Sequence, residues 1–559
     1  MATTNHPKDQ NKPPVWAQRG KLRLAHVDGG PSRTAEMLML DGWDSTPAEL
    51  LSTCRYHEGL VDELLAKKVN AVCLTWAVGF SHEGDQPQWE MVKKLMPLLK
   101  KKKIKAIAQI GLTSCFTDEM FRRVPDAKNW LYVDEEGNPN SWNQTERCSQ
   151  MDIMLPEWRE FITYKVRAAV EAGFDGLFFD NVLSDVPSSA GFLKELYDAA
   201  RAARPDGEEL LLYTHASYFE ALNRVANFKW KSSGHRPDVA ADGTISTNVG
   251  FLKMLFEEGG RDKAFASGIH FGAMTPKEIR VAVAEVFACG GVCTDSRVPV
   301  KYQEFHADNA ALFGASDPVG SIGLLVHDAA AWVDSIYACA PIASVLAGAN
   351  IQFDVIPSAQ YQNFDFRKYR VLIAVHLRQL SDGLIGALET FMQHQGGTVL
   401  ASTDCKRTDA KGKETDAPVF LDTKGLIGDA VEKEMGKGKL VLFSPLERSD
   451  DRVKEARDFK ARLLPYFENF LPDQPIRLEA PHGVVALMWG KSTKRWVHVL
   501  NYRTEPSDAA VLLPNCGGRE LKLHSPDDQP PALHVVETGN ARVAFALKGL
   551  DSYAVIEIV

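Results

Sequence analysis

The sequence predicts an α/β protein that begins with a (β/α)8 TIM barrel. Two observations support this fold class: short β-rich runs recur through roughly the first 300 residues, and amphipathic helical patterns lie between most of them. The eight runs cover residues 22–28, 71–80, 104–113, 174–182, 209–218, 251–258, 264–271 and 291–295. A doubly wound sheet of the same size is the structural alternative. The predicted barrel domain spans residues 15–315.

The pattern of residues 156–172 illustrates a helix between two barrel strands. Pro156 suits the first helical position, where its missing N–H has no partner to lose. Gly173 suits the C-terminal cap. The apolar side chains recur three and four residues apart and so share one helix face. They are Trp158, Phe161, Ile162, Val166, Ala169 and Val170.

Residues 316–472 carry a second α/β pattern, which indicates a flavodoxin-like or amidotransferase-like domain. Predicted strands cover 321–327, 351–357, 369–376, 398–402 and 440–444, and predicted helices cover 328–347 and 381–394. In amidotransferases a nucleophilic Cys follows a strand such as 369–376, but this sequence has Val375-His376-Leu377 there. It also has no GxGxxG motif or phosphate-binding glycine loop in this region. We therefore interpret the domain as structural or oligomerising.

Residues 473–559 change to a pattern of strands only. The runs cover 476–480, 483–489, 496–502, 509–513, 521–524, 533–538, 541–547 and 553–559. Gly, Pro, Asn and Asp turns separate them, which is typical of a small antiparallel β-sandwich.

Composition excludes several classes of protein. The chain has 559 residues, 45% of them hydrophobic and 25% charged, which is typical of globular domains and not of disordered or fibrous chains. A net charge of −9 without a basic stripe argues against a nucleic-acid partner. Nine cysteines without a CxxC pair favour reduced structural thiols.

The sequence gives no indication of a membrane partner. Its longest charge-free apolar stretch, 335–353, contains a proline and polar residues and is typical of a buried helix followed by a strand. Residues 1–14 are polar and have no apolar signal core. As written, the chain is expected to be cytoplasmic, although a removed signal peptide would leave no trace.

Polar residues stand where the predicted barrel strands stop, which is the end of a TIM barrel that carries its active site. They include carboxylates, imidazoles and aromatic rings: His26, Asp28, Trp76, His82, Gln109, Asp180, Asn181, His215, Tyr218, Glu257, Glu258, His270, Asp295 and Arg297. Rings stack on the apolar face of a sugar, polar groups bond its hydroxyls, and two carboxyls flank the bond that is cut. The pattern therefore favours a carbohydrate substrate.

The clearest catalytic prediction is Asp180. It ends the run Gly173-Phe-Asp-Gly-Leu-Phe-Phe-Asp180-Asn181, where a buried apolar strand stops abruptly at a carboxylate. Alternation places Gly176, Phe178 and Asp180 on one face of the strand, so Asp180 would point into the mouth of the barrel. The structural alternative is an Asp that caps the next helix.

Two adjacent residues are candidates for the second, acid/base carboxylate. Adjacent residues on a strand face opposite ways, so Glu257 and Glu258 cannot both face the barrel. If 251–258 is a strand, Glu257 faces inward with Lys253, and it is the preferred acid/base, with Glu258 second. Both are alternatively ordinary loop carboxylates.

The predicted substrate-binding residues are Asp28, Trp76, Asn181, His215, Tyr218, His270, Asp295 and Arg297. Each has a structural alternative: a strand-end His is often satisfied by local bonds, Asp295 could pair with Arg297, and Trp76, Trp142 and Trp230 could be buried packing. No metal or cofactor is predicted, because the sequence has no HExxH, EF-hand or His/Cys cluster. A GxSxG nucleophile elbow is also absent from it.

The stretch GFDGLFFDN resembles the fourth-strand motif of barrel glycosidases that place a nucleophilic Asp there, including α-L-fucosidase-like and α-amylase-like enzymes. The order of barrel, amidotransferase-like domain and β-sandwich resembles family 42 β-galactosidases, whose middle domain is a trimerisation domain. This resemblance implies a homo-oligomer, for example a trimer. The chain departs from family 42 in having no Asn-Glu dipeptide, and from many α-L-fucosidases in lacking a His-His-Asp stretch.

The resulting hypothesis is a retaining glycoside hydrolase with Asp180 as nucleophile and Glu257 or Glu258 as acid/base. A transglycosylase is a close variant. The alternatives from other classes are a non-catalytic carbohydrate-binding protein on a degenerate barrel, and a barrel lyase or isomerase using Lys253.

Overall fold

The computed structural model describes most of the chain. The described residues are 13–27, 56–141, 148–180, 188–204, 210–215, 228–233, 237–240, 244–259, 265–269, 274–294, 298–314, 317–326, 332–377, 380–408, 414–419, 430–445, 452–467, 474–491, 493–539 and 541–559. No helix within these ranges has both the length and the apolar character needed to cross a membrane.

The strands are numbered in chain order. Their bounds are β1 Leu24–Val27, β2 Ala71–Ala77, β3 Lys105–Gly111, β4 Ser114–Phe116, β5 Cys148–Gln150, β6 Gly176–Asp180, β7 Leu211–His215, β8 Phe228–Ser233, β9 Asp238–Val239, β10 Ile245–Ser246, β11 Phe265–Ile269, β12 Val292–Cys293, β13 Asp317–Pro318, β14 Ile322–Val326, β15 Phe353–Pro357, β16 Val371–Ala374, β17 Thr398–Ser402, β18 Lys406–Thr408, β19 Glu414–Pro418, β20 Ala430–Met435, β21 Gly438–Phe443, β22 Arg477–Glu479, β23 Val484–Lys491, β24 Lys494–Asn501, β25 Ser507–Pro514, β26 Leu521–His524, β27 Ala532–Thr538, β28 Arg542–Leu550 and β29 Tyr553–Ile558.

The α-helices are numbered in the same way. Their bounds are α1 Gly59–Ala66, α2 His82–Lys101, α3 Thr117–Arg123, α4 Pro156–Glu171, α5 Ser188–Ala202, α6 Val249–Gly259, α7 Pro276–Ala288, α8 Val300–Asp308, α9 Trp332–Gly348, α10 Asp382–Gln395 and α11 Arg452–Phe467. The predicted helix 156–172 is confirmed as α4, with Pro156 in its first turn and Gly173 following its C-terminus at a φ of +93°.

The chain divides into two compact units. The first comprises Met1–Lys231, Asp262–Gly268 and Val292–Ala307, and the second comprises Ser232–Arg261, Ile269–Gly291 and Asp308–Val559. This division differs from the predicted borders at residues 315 and 472, because α6 and α7, which lie between barrel strands in the sequence, belong to the second unit.

The eight-stranded sheet follows the order β1-β2-β3-β6-β7-β8-β11-β12. Neighbours such as β1 and β2, β3 and β6, and β11 and β12 pair in parallel. The two ends of the sheet meet where His26 N donates to Thr294 O at 2.8 Å. An eight-stranded parallel sheet closed in this way is a barrel.

Side chains alternate between the interior of the barrel and its outer surface. The interior layer is apolar and comprises Leu24, Ala71, Cys73, Ile107, Phe178, Leu211, Ala266 and Val292. Ala17 and Leu22, just before β1, pack on the same layer. Outward-facing residues such as Val72, Leu74 and Leu177 belong to the core shared with the helices. The interior is therefore a filled core, and ligands can bind only at its ends.

The sixth barrel strand is not the one that the sequence predicted. Residues 251–258 lie in α6, and β8 holds the sixth position in the sheet. Every residue from 251 to 257 is buried, so this run has no polar stripe. Periodicity alone cannot distinguish a fully buried helix from a strand.

His82, the first residue of α2, is a half-buried imidazole that we expect to make stability depend on pH. Its ring stacks on Phe161 at a centroid distance of 4.2 Å. Burial, and then the charge of Lys165, lowers its pKa from 6.5 to about 4. The unfolded chain binds a proton on His82 more readily than the folded protein does. The contribution of neutral His82 to the free energy of unfolding is therefore complete above about pH 6.5 and is lost as pH falls towards 4.

The test is His82→Phe, which retains ring stacking but cannot titrate. We expect the free energy of unfolding of the wild type to fall relative to the variant by on the order of 1 kcal/mol between pH 6.5 and 4, after allowance for solvent screening. Urea unfolding at several pH values measures it. A difference that stays constant with pH would contradict the prediction.

In the second unit, a six-stranded sheet has the order β15-β14-β16-β17-β21-β20. Its strands are parallel except for the edge strand β20, and the order of the first five is that of flavodoxin-like folds. The five strands predicted for residues 316–472 are all present, whereas β20 and α11 were not predicted.

Two antiparallel sheets follow, with orders β13-β23-β24-β29-β26 and β22-β25-β28-β27. They face each other across one core, to which Val497 and Ile556 contribute from the first sheet and Val511 and Phe545 from the second. All eight strands predicted for residues 473–559 are observed, and the sheets form a β-sandwich.

A buried carboxylate network joins α7 to the sandwich within the second unit. Glu285 is fully buried and accepts hydrogen bonds from the Thr247 hydroxyl, Asn248 N at 3.1 Å, Asn248 Nδ2 at 2.9 Å and Tyr502 OH at 2.7 Å. Burial raises the pKa of Glu285, and these hydrogen bonds oppose that shift. The carboxylate is thus the common acceptor of four donors from two parts of the chain, residues 247–248 and Tyr502.

Candidate active site

Asp180 is the last residue of β6 and lies at the carboxyl end of the barrel. Phe178 belongs to the interior layer, so the alternation of the strand also turns Asp180 inward, as predicted. Gly176 begins the same face. A Cβ there would lie 2.9 Å from Leu211 O and 3.2 Å from Ile107 Cγ1, so any larger residue would force the strands apart.

A row of polar side chains crosses the neighbouring strands beside Asp180. Gln109 Nε2, on β3, donates to Asp180 Oδ2 at 2.9 Å. Thr75 Oγ1, on β2, lies 3.4 Å from Gln109 Oε1 and can donate to it. On β1, the ring of His26 meets Phe178 edge-on at 5.3 Å. The carboxyl end of the barrel is therefore polar, whereas the layer beneath it is apolar.

Tyr56 anchors this row from outside the sheet. Its hydroxyl donates to Val27 O at 2.9 Å and accepts from Thr75 N at 2.6 Å, so it bridges β1 and β2 at their carboxyl ends. The sequence analysis did not select Tyr56 or Thr75, and it noted Gln109 only as a strand-end residue. Thr75 could have been found by its two-residue spacing from Cys73, which faces the interior.

The long insertion after β3 contains a two-stranded sheet, β4 and β5, with helix α3 between the strands in sequence. β4 and β5 pair antiparallel, and Ser114 Oγ donates to Val78 O at 3.0 Å in the loop after β2. Residues 132–140 are exposed, including Tyr132 and Val133. Because β4 begins three residues beyond the end of β3, this small sheet lies on the same side of the barrel as Asp180.

Trp76 is not positioned to stack on a sugar. Its side chain is fully buried, stacks on Trp89 at 4.8 Å and donates its indole N–H to Lys165 O at 3.0 Å. Thr75 faces the interior, so alternation turns Trp76 outward against α2 and α4. The predicted substrate-binding role of Trp76 is therefore wrong, and its structural alternative holds.

The argument for Glu257 and Glu258 also changes. Both residues stand near the end of helix α6 and not on a barrel strand, so strand alternation cannot place either of them. Glu257 is 5% exposed, and its charge acts on the buried ammonium of Lys253, whose pKa burial lowers. The side chain of Glu258 lies outside the described residues. The choice of these two as acid/base therefore loses its structural basis.

Other predicted site residues fall outside the described part of the chain. They are Asp28, Asn181, Tyr218, His270, Asp295 and Arg297. The backbones of His215, the last residue of β7, and Trp230, in β8, are described, but their side chains are not. Trp142 lies outside as well.

Among the described side chains, no group of three or more His, Cys, Asp or Glu residues could hold a metal ion. The seven described cysteines with placed side chains are buried free thiols. They are Cys73, Cys115, Cys148, Cys289, Cys293, Cys405 and Cys516.

The position that carries the nucleophilic Cys in amidotransferases holds His376 here, with a φ of +52°. Its imidazole Nδ1 contacts Asp404, and its backbone N donates to Ser402 Oγ at 2.8 Å. The nearby Cys405 is buried, which raises the pKa of its thiol to about 12, and it donates to Ala374 O. A thiol held protonated in this way is a poor nucleophile.

A closed parallel barrel that presents a carboxylate at the carboxyl end of a central strand is the arrangement of TIM-barrel enzymes. Solved structures share this fold across nearly the whole chain. One is α-L-fucosidase isoenzyme 2 from Paenibacillus thiaminolyticus, at a TM-score of 0.62 and 12% identity, covering 96% of this chain and 99% of that one.

Two β-galactosidases are similar to the same degree. Gan42B, a GH42 β-galactosidase from G. stearothermophilus, has a TM-score of 0.61 and 12% identity, covering 96% of this chain and 98% of that one. The β-galactosidase from Rahnella sp. R3 has a TM-score of 0.60 and 11% identity, covering 97% and 98%. No family model and no curated protein matches the sequence. At these identities the likeness establishes the fold.

Proposed function

We propose that the protein is a retaining glycoside hydrolase in which Asp180 is the nucleophile. The observation that carries the proposal is the position of Asp180: it is inward-facing, partly exposed and hydrogen-bonded to Gln109 at the carboxyl end of a barrel strand. The fold shared with an α-L-fucosidase and GH42 β-galactosidases supports it. The homo-oligomer implied by the family 42 resemblance is part of the same proposal.

The reaction has two steps. In the first, Asp180 Oδ1 bonds to the anomeric carbon while the bond from that carbon to the leaving oxygen breaks. The leaving oxygen keeps the electron pair and takes a proton from a carboxylic acid. In the second, water bonds to the anomeric carbon, the electron pair of the ester bond returns to Asp180, and the water proton passes to the second carboxylate.

The acid/base carboxylate is to be sought among residues that follow other barrel strands in the sequence. Asp28 directly follows β1 and Asp295 follows β12 by two residues, whereas Glu257 and Glu258 lie on α6. An acid/base variant loses activity on poor leaving groups but retains it on activated ones. Asp28→Asn and Asp295→Asn, assayed with nitrophenyl and dinitrophenyl glycosides, distinguish the two.

The experiment that tests the proposal is a panel of nitrophenyl α- and β-glycosides, followed by NMR of the first-formed anomer. We expect retention for the accepted sugar. The matching 2-deoxy-2-fluoro glycosyl fluoride should label the peptide that contains Asp180. Inversion, or a label on another residue, would overturn the proposal. Sugar binding without turnover would favour the carbohydrate-binding alternative, and transfer to a second sugar would identify a transglycosylase.

A further inference from the structure

The amide of Gln109 has a defined orientation. Its oxygen faces the Thr75 hydroxyl at 3.4 Å, and its nitrogen faces Asp180 Oδ2 at 2.9 Å. Gln109 is 6% exposed and Thr75 is fully buried, so little water competes for these contacts. A flipped amide would direct its oxygen at the carboxylate and its NH2 at the threonine. The threonine hydroxyl could accept from that NH2. The Gln109 amide oxygen would then face Asp180 Oδ2, however, and neither oxygen can donate a hydrogen bond.

This orientation discriminates between the charged carboxylate of Asp180 and its neutral glycosyl ester. The Gln109 NH2 is a donor, so it bonds a charged carboxylate oxygen more strongly than an ester oxygen. The contact is made to Oδ2. Both residues stand on paired strands of the barrel, where Gln109 is in register with Phe178 and Gly111 with Asp180. The donor is therefore held by the sheet.

Resting on the proposed function, we infer that Gln109 is a positioning residue that stabilises the carboxylate of Asp180 relative to its glycosyl ester, with Thr75 fixing its amide. The bond weakens when Asp180 becomes an ester and forms again when the ester is cleaved. Gln109 therefore assists the second step, in which the electron pair returns to Asp180.

The test compares Gln109→Met with Gln88→Met. Both substitutions remove a buried amide of the same size, but Gln88 donates to Thr75 O from α2 and does not contact Asp180. The substrate is the dinitrophenyl glycoside of the accepted sugar. For Gln109→Met we expect kcat to fall about tenfold or more and KM to fall with it, since the glycosyl intermediate accumulates. The ratio kcat/KM, which reports the first step, should change much less than kcat.

Gln88→Met should leave kcat and KM close to their wild-type values. Thr75→Val, which frees the amide to flip, should lower kcat and KM together as Gln109→Met does but less, and it replaces Gln109→Met if that variant does not fold. Unchanged kcat and KM in both, while Asp180→Asn is inactive, would overturn the inference and leave the proposed function standing. An active Asp180→Asn would remove the proposed function itself.

Discussion

Asp180→Asn is expected to lower kcat/KM by roughly 10⁴-fold or more, because removal of a covalent nucleophile leaves only binding and the remaining groups to act. The fold should survive the change. An asparagine oxygen can still accept the hydrogen bond that Gln109 donates to Asp180 Oδ2. The melting temperature should therefore stay close to that of the wild type while turnover is lost.

Asp175→Asn is the matched control, because Asp175 directly precedes the amino end of the same strand, β6. Its carboxylate pairs with Lys105 at 2.7 Å and accepts from Ala106 N at 3.1 Å. This variant should lose some stability and keep its kcat/KM. For Asp180→Gly, added azide should restore turnover and give a glycosyl azide of the opposite anomeric configuration. Equal activity in wild type and Asp180→Asn would remove Asp180 from the mechanism.

Glu285→Ala is expected to destabilise the second unit by roughly 3–5 kcal/mol, since it leaves the donors of Thr247, Asn248 and Tyr502 buried without their acceptor. Glu285→Gln should cost less but still about 1–3 kcal/mol, because its NH2 would face a donor. Chemical unfolding followed by tryptophan fluorescence and by near-UV dichroism measures both.

The control for this prediction lies on the same helix. Glu278 belongs to the capping box at the first turn of α7 and is only partly exposed to solvent, so Glu278→Ala should cost about 1 kcal/mol. If Glu285→Ala and Glu278→Ala lowered stability by the same small amount, the network would not be a main support of this unit.

The helices and strands were largely predictable, because the spacing of apolar residues and the residues that end a helix can be read from the sequence. The sandwich strands alternate, and Pro156 and Gly173 mark the ends of α4. The error at residues 251–258 has a physical cause. A helix buried on every side has no polar stripe, and its Phe, Leu and Met residues suit a strand equally well.

The site was predictable only in part. Asp180 was selected as a candidate because its strand stops at a carboxylate, and the outward orientation of Trp76 could have been predicted from the alternation of β2. Tyr56 could not be predicted from the sequence, since its contacts with Val27 and Thr75 join residues 29 and 19 positions away. The choice of Glu257 assumed that residues 251–258 form a strand, but they lie in helix α6.

The membership of α6 and α7 in the second unit bears on how this protein can be cut. A chain truncated after residue 315 would keep Glu285 but lose Tyr502. It would keep Lys253 without its Phe353 carbonyl acceptor, and Arg280 without Asp551, to which it is paired at 2.9 Å. Such a fragment would expose charged groups that the native protein buries or pairs. The barrel is therefore not separable from the rest of the chain. Fusing it to a different C-terminal half would require α6 and α7 to be changed as well.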